Sequence, residues 1–498
     1  MGFYAECAVY FYESVETVME PVYFLYRWLS SRRVFYVVFA TFSLYWISDL
    51  FMQYFFLEFA IWDTVIQAQP LLHWVKYGQY WLDIMNVHPW NDHFYAGLLL
   101  LMPLIAVVPS PMWLPIAKVL SYLSCSWLFF HYGKKHFKDL RWATVIPIWW
   151  FFQDIIMGAI KANSHPTSIA LPLFVLAFFF ALEKRFVWMW LSLIILVLFK
   201  EHLPLAWVSL GMFLIVETQE KRQGIWLCTL GVLAGLLIFF VIMPSMGPAH
   251  INVQQGRFGP WAAWDLKIYM IIKSLLPFGF IHLMRWRSFL YILPIYGAYL
   301  ASQSEPFFWV HLHYHDIQQA WLMCILFYLI KQCLDGQLTW PRILQRYPKP
   351  ILTVFSVAVV GIGINSLPII QDYAGVPLSE LKTRYQVTRA IQSVRHAIPE
   401  GVYIYTTEEL GMFFADRYLG GINGDPLSQT RPHVIVYRPS SLYRYYKKFD
   451  YEGFHNQIQL AVRNQTLFQI DIAPDLMLVG NNVPSLTSFK NDIPAKGI

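Results

Sequence analysis

The sequence predicts an α-helical polytopic membrane protein: a bundle of about 11 spans followed by a small extracytoplasmic α/β domain. Three observations predict it. The 498 residues are 57% hydrophobic and only 14% charged, against about 25% charged in ordinary soluble domains. Long apolar runs recur from Val34 to about residue 367. After Pro368 short β-rich runs begin to alternate with helical segments, the pattern of an α/β unit. The mean hydropathy is +0.43. The net charge of +6 is what basic residues retained in cytoplasmic loops produce, and it calls for no nucleic-acid partner.

Residues 1–33 form an amphipathic N-terminus ending in Ser30-Ser31-Arg32-Arg33, a cytoplasmic flank by charge. Glu6, Glu13, Glu16 and Glu20 precede the first apolar run, and no small-residue cleavage site follows it, so a cleavable signal is not expected. The first span runs from Val34 to about Phe56, long enough for the ~20 apolar residues a crossing needs.

The stretch 58–93 follows and cannot itself be a span. It holds Glu58, Asp63, Asp83 and Asp92 with His73, Lys76, His88 and His93, interleaved with Trp62, Trp74, Trp81 and Trp90. Carboxylates mixed with amphipathic rings suit a loop lying on the membrane face.

Positive charge sets the topology beyond it. If the short run 95–108 is re-entrant or interfacial, the basic stretches 131–141, 183–185, 217–222, 285–287 and 331–349 all fall inside, as the positive-inside tendency demands. Spans are then expected at 112–130, 142–160, 167–182, 186–200, 203–216, 225–243, 267–284, 289–303, 319–334 and 351–367. Several are short, so tilts, breaks or half-spans are expected. Domains accordingly divide as 1–33, 34–367 and 368–498. The N-terminus is inside and the last domain outside, in a multi-pass protein of the cell (inner) membrane. In that domain 379–398 reads as an amphipathic helix, 402–405, 433–437 and 476–479 as strands, and 408–416 as a helix.

This topology, drawn from charge bias alone, gathers the polar clusters on one face. They are the 58–93 loop, Asp154 and Lys161 with Asn163-Ser164-His165-Pro166, Lys200-Glu201-His202, His250 and Arg257, and His311 to Asp316. Charges near hydrocarbon cost about 2.5–3.5 kcal/mol on insertion scales and are usually paired or functional. The bland readings stay open beside this: a local ion pair for Lys200-Glu201, interfacial histidines for His311 to His315, and a helix-end polar residue for Asp154. His313 and His315 alternate without a zinc-type spacing. The five cysteines lie in or beside apolar segments without CxxC spacing, so they read as packing residues.

At these residues the chain resembles a family of multispan membrane proteins known as domain of unknown function 2079. That family is similar in turn to the GT-C class of polyprenyl-phosphate-sugar-dependent glycosyltransferases. The family's D-L-G-I-F-D-Q stretch corresponds to Glu58 through Thr64, and its D-H-F-S-P to Asp92-His93-Phe94. F-H-P-E corresponds to Ser164-His165-Pro166-Thr167, K-E-D to Lys200-Glu201-His202, and an H-Y-H motif to His313-Tyr314-His315. Glu58, Thr167 and His202 depart from the family's Asp, Glu and Asp.

The resemblance implies a membrane glycosyltransferase. It would move a sugar from a polyprenyl-phosphate donor, bound among membrane lipid, to an extracytoplasmic acceptor. Glu58 is the implied general base, with Asp63 as second choice or as an acceptor-positioning group. On one helix the two would point ~140° apart, so both are not expected on one atom. Asp92 with His93 would orient the acceptor or hold a divalent cation, the one cofactor left open. Lys161, His165, Lys200, Arg257 and His313 are the cationic candidates for the phosphate that leaves, with Asp154, Glu201 and His315 completing the substrate-binding set. A transporter or flippase of a lipid-linked or polar substrate is the competing reading, and a non-catalytic assembly protein a third. Neither donor sugar nor acceptor is legible.

Overall fold

The computed structural model describes residues 31–57, 63–247, 259, 261–278, 282, 285–304, 308, 313–338, 376–421, 433–438, 451–464, 467–473 and 475–481. Glu58, His250, Arg257, His311, the first 30 residues and the expected span 351–367 lie outside them, as does the side chain of His313.

The first helix, α1 (Arg32–Phe55), starts where the Ser31 hydroxyl accepts the Val34 N–H at 3.2 Å, an N-cap. It ends at Leu57, whose φ of 60° turns the chain out of the helix. Its aromatic side packs on α5 (Trp113–His136) and α6 (Leu140–Phe151): Phe35 stacks on Phe130 at 3.9 Å and Phe42 on Phe151 at 4.9 Å. Between α1 and α5 come α2 (Asp63–Tyr77), the one-turn α3 (Pro89–Asp92) and a 3-10 turn, Ala96–Leu101, running into α4 (Met102–Val107).

The bundle continues with α7 (Asp154–Lys161), α8 (Pro166–Leu182), α9 (Phe186–Val197), α10 (Pro204–Phe213), α11 (Lys221–Leu237), α12 (Trp264–Leu275), α13 (Ser288–Leu300) and α14 (Asp316–Leu334). Small residues set the closest approach. A Cβ at Gly211 would lie 2.7 Å from the Gly224 carbonyl oxygen, and one at Gly224 2.5 Å from that of Gly211, so α10 and α11 meet backbone to backbone. The axis of the bundle is α14. In its apolar stretch 83% of residues are buried, and Trp321 is fully enclosed with its indole N–H on the Tyr291 carbonyl at 2.8 Å.

The span count corrects the expectation of 11. Among the described residues four helical stretches are long and apolar enough to cross a membrane: Arg32–Phe55, Trp113–His136, Lys221–Ser245 and Asp316–Leu334. A fifth results if α6 and α7, bent by 50°, form one span. The reason is length. The segments Ala96–Val107, Pro166–Leu182, Phe186–Val197, Pro204–Thr218 and Ser288–Leu300 are apolar but run to 17 residues at most, short of the ~20 needed for ~30 Å of hydrocarbon. The protein is a multi-pass membrane protein with several transmembrane helices.

Beyond α15 (Leu378–Ala397) the chain builds a five-stranded sheet in the order β2-β1-β3-β5-β4. Its strands are β1 (Tyr403–Thr406), β2 (Leu419–Gly421), β3 (His433–Tyr437), β4 (Phe468–Ala473) and β5 (Leu476–Asn481). β1 runs parallel to β2 and β3, while β5 is antiparallel to β3 and β4. The period of two splits its side chains between two layers. Ile404, Val434, Val436 and Leu478 join a core continuous with the bundle. Tyr405, Ile435, Tyr437 and Val479 pack instead with Phe454 and Ile458 of α17 (Tyr451–Arg463). A short helix, α16 (Glu408–Phe414), links β1 to β2.

Candidate functional site

The described part of the 58–93 loop, 63–93, is built, not loose. Gly78, at φ 68°, ends α2, and Leu82 and Val87 pair across a tight turn that Asn86 closes at φ 53°. His88 then caps α3 by accepting the Trp90 N–H on Nδ1 at 3.3 Å. The chain leaves α3 at His93, aimed at the junction between α9 and α10.

That junction carries Lys200-Glu201-His202. Glu201 is buried and receives two donors from the loop, His93 Nδ1 at 2.9 Å on one oxygen and the Phe94 N–H at 3.2 Å on the other. The Lys200 ammonium lies 3.9 Å from the same carboxylate. A backbone bond from the Gly97 N–H to the Leu198 carbonyl, 2.6 Å, clamps the two segments together. Gly97 has to be glycine here, because a Cβ would lie 2.5 Å from the Phe199 ring.

Asp63 opens α2 beside this group. Burial raises its pKa above the usual 3.8; Lys200 and His93 oppose the rise and Asp92 adds to it. Burial would raise Glu201 too, but Lys200, His93 with its hydrogen bond, and His202 hold it well below 4.5. Two carboxylates of one site are thus driven apart, Asp63 toward holding a proton and Glu201 toward the anion. Burial, reinforced by Lys200 and His93 and opposed by Glu201, pushes His202 down to about 4, so its imidazole is neutral at physiological pH.

Two more segments reach the same place. The Ser164 N–H donates to Thr64 Oγ1 at 3.1 Å, which brings the 163–166 turn onto the start of α2. Lys118 fixes that turn from below by donating to the carbonyls of Ile160 and Ala162 at the end of α7. His165 Nδ1 sits 2.5 Å from Thr167 Oγ1, and its ring meets Tyr314 edge-on at 6.1 Å. Tyr299 packs between His202, at 6.2 Å, and the buried His315, at 5.5 Å. Asp316, also buried, accepts from Tyr122 at 3.0 Å and Ser168 at 2.5 Å, which anchors the start of α14 under the site.

Of the residues expected from sequence, the structure therefore brings together Asp63, Asp92, His93, His165, Lys200, Glu201 and His315. Lys161 ends α7, three residues before Ser164. Asp154, at the other end of that helix, pairs instead with Lys273 of α12 at 3.6 Å. Sequence reasoning assigned no role to Thr64 or Tyr314, although each stands inside a matched motif stretch, and Tyr299 lies in no motif. Among the described residues no group of three His, Cys, Asp or Glu is arranged to hold a metal ion.

Fold and site together define the class: a multi-span helical membrane protein with a polar cluster at one end of its bundle. The family described as "Predicted membrane protein (DUF2079)" matches residues 75–419, and the chain belongs to that family. Among solved structures, it is similar to ArnT from Cupriavidus metallidurans bound to undecaprenyl phosphate. The TM-score is 0.52 at 13% identity, over 91% of this chain and 99% of that one. The apo state of the same protein gives 0.49 at 14% identity over the same shares. No curated protein sequence matches the chain.

Proposed function

We propose that this protein is a membrane glycosyltransferase that moves a sugar from a polyprenyl-phosphate donor to an acceptor hydroxyl on the extracytoplasmic face. The observation that carries the reading is the convergence of motif segments about 140 residues apart, Asp63, Asp92-His93 and Lys200-Glu201, around one pair of oppositely shifted carboxylates. The bound undecaprenyl phosphate of the structurally similar ArnT supports a donor of that chemical class.

In this scheme a loop carboxylate takes the acceptor's proton. The freed oxygen attacks the anomeric carbon, and the bond from that carbon to the phosphate oxygen breaks with its electron pair going to the phosphate. A base of this kind contributes typically 10²–10⁴-fold. Asp63 suits the role because its raised pKa brings it nearer the working pH; Glu58, five residues earlier, is the other candidate. Lys200 supplies positive charge for the leaving phosphate. Glu201 stays ionised and holds Lys200 and His93 in place. The bend between α6 and α7 favours a flippase as the second reading, since broken helices are common in transporters.

Replacing Glu58 and Asp63 separately with Ala tests the proposal. One of the two variants is expected to lose sugar transfer while expression and donor binding persist. Full activity in both would eliminate a base in this loop.

A further inference from the structure

The far end of α2 is bolted to the sheet unit, with the Arg417 backbone carbonyl at the centre of the junction and the Tyr403 hydroxyl of β1 donating to the Asp83 carbonyl at 3.3 Å beside it. Arg417, between α16 and β2, donates from its guanidinium to the carbonyls of Ile398 at 2.7 Å, Pro399 at 2.5 Å and Arg395 at 3.2 Å, closing the C-terminal end of α15. Its own carbonyl accepts from Gln69 Nε2 at 3.2 Å and His73 Nε2 at 3.0 Å, one helical turn apart on α2. Gln69 is wholly buried, and its Oε1 receives the Asp83 N–H at 3.1 Å. Around this centre Lys76 reaches Glu400 at 2.8 Å and Asp416 at 3.3 Å, and Tyr77 stacks on Tyr418 at 5.4 Å.

Gln69 thus joins three things at once: the sheet unit, α2, and the turn at 82–87. The two arms it ties lead to the two sides of the site, α2 to Asp63 and the turn to Asp92 and His93. We propose that Gln69 is a positioning residue through which the sheet unit sets the separation of Asp63 from the His93–Glu201 pair. The sheet unit then acts on the chemistry without contacting substrate. The kinetic part of this inference rests on the proposed sugar transfer; the geometric part does not.

The test uses the full-length protein in lipid nanodiscs, with Gln69→Leu and Lys76→Met. Backbone hydrogen exchange is the readout that needs no activity. Gln69→Leu is expected to speed exchange at Asp83, His93 and Phe94 by about tenfold, the size that losing two net hydrogen bonds from a local opening gives, while α5 and α14 keep wild-type protection. Lys76→Met cuts two ion pairs on the partly exposed rim without touching buried Gln69. It carries the test if the first variant does not fold, with faster exchange expected along residues 63–77. In transfer assays Gln69→Leu should lower kcat with donor KM unchanged. Wild-type exchange across residues 63–93 in a folded variant overturns the proposal. Faster exchange from a protein whose wild type transfers no sugar upholds the junction and removes the glycosyltransferase reading instead.

Discussion

Glu201→Gln is the change whose cost can be worked most fully from the structure. The carboxylate spends one oxygen on His93 and the other on the Phe94 N–H, with Lys200 3.9 Å away. Glutamine keeps one acceptor and turns the other into a donor. Turned toward the Phe94 N–H, its amide nitrogen meets a like group, and leaving that buried donor unsatisfied costs about 1–3 kcal/mol; turned toward His93, it keeps a bond once the imidazole carries its proton on Nε2 and accepts on Nδ1. It also removes the carboxylate that lies 3.9 Å from the Lys200 ammonium, whose side chain is 6% exposed; removing one partner of a buried charge pair costs about 3–5 kcal/mol. The two costs overlap and the lost charge sets the scale, so about 3–5 kcal/mol is the expected total, or roughly 10²–10⁴-fold in kcat/KM if it falls on the transition state. The assay is transfer of labelled sugar from a polyprenyl-phosphate donor by purified protein, with a thermal melt run beside it. Transfer within threefold of wild type and an unchanged melt would refute the view that Glu201 organises the site.

Three further outcomes follow from the same geometry. Because Asp63 is raised by burial and lowered by Lys200, activity should climb with pH through a limb above 3.8, and Lys200→Met should move that limb to higher pH while lowering the plateau; a pH–rate profile checks both. Gly97→Ala forces a methyl into the Phe199 ring and should cost about 1–3 kcal/mol of stability in a thermal melt, the usual price of overpacking. Burial lowers the pKa of His73, against its bond to Arg417 and the charge of Asp416, with Lys76 reinforcing the burial and the Asp83 carboxylate 3.5 Å away. The folded state therefore binds fewer protons than the unfolded chain just below about pH 6.5, so the junction is at full strength above that pH and weakens as pH falls. Asp416, which Arg395 and Lys76 hold low against its burial, keeps its contribution until the pH falls below 3.8. Melts of His73→Gln should lose the slope in the upper window and keep the lower one.

The helical, multi-span character was legible because composition and apolar runs report it directly. The span count was not. Hydropathy sees that Phe186–Val197 is apolar but not that it stops after 12 residues at a polar junction. Short β-rich runs marked His433–Tyr437 and Leu476–Val479, which lie in strands whose alternate residues feed two different cores. At the site, short motifs flagged Asp92-His93 and Lys200-Glu201, and charge bias put them on one face. Their pairing through Glu201 needed coordinates, because 107 positions separate Phe94 from Glu201. Gln69 and Tyr299 left no signal, since a buried amide or phenol within a helix reads as ordinary packing.

The central claim is that this cluster transfers sugar, and the most direct measurement is turnover of a labelled polyprenyl-phosphate sugar by purified wild-type protein beside Asp63→Ala and Glu58→Ala. Wild type is expected to separate label from lipid and pass it to an added acceptor pool, and one of the two variants is not. Donor that stays intact with wild type, or crosses the bilayer unchanged, would contradict it.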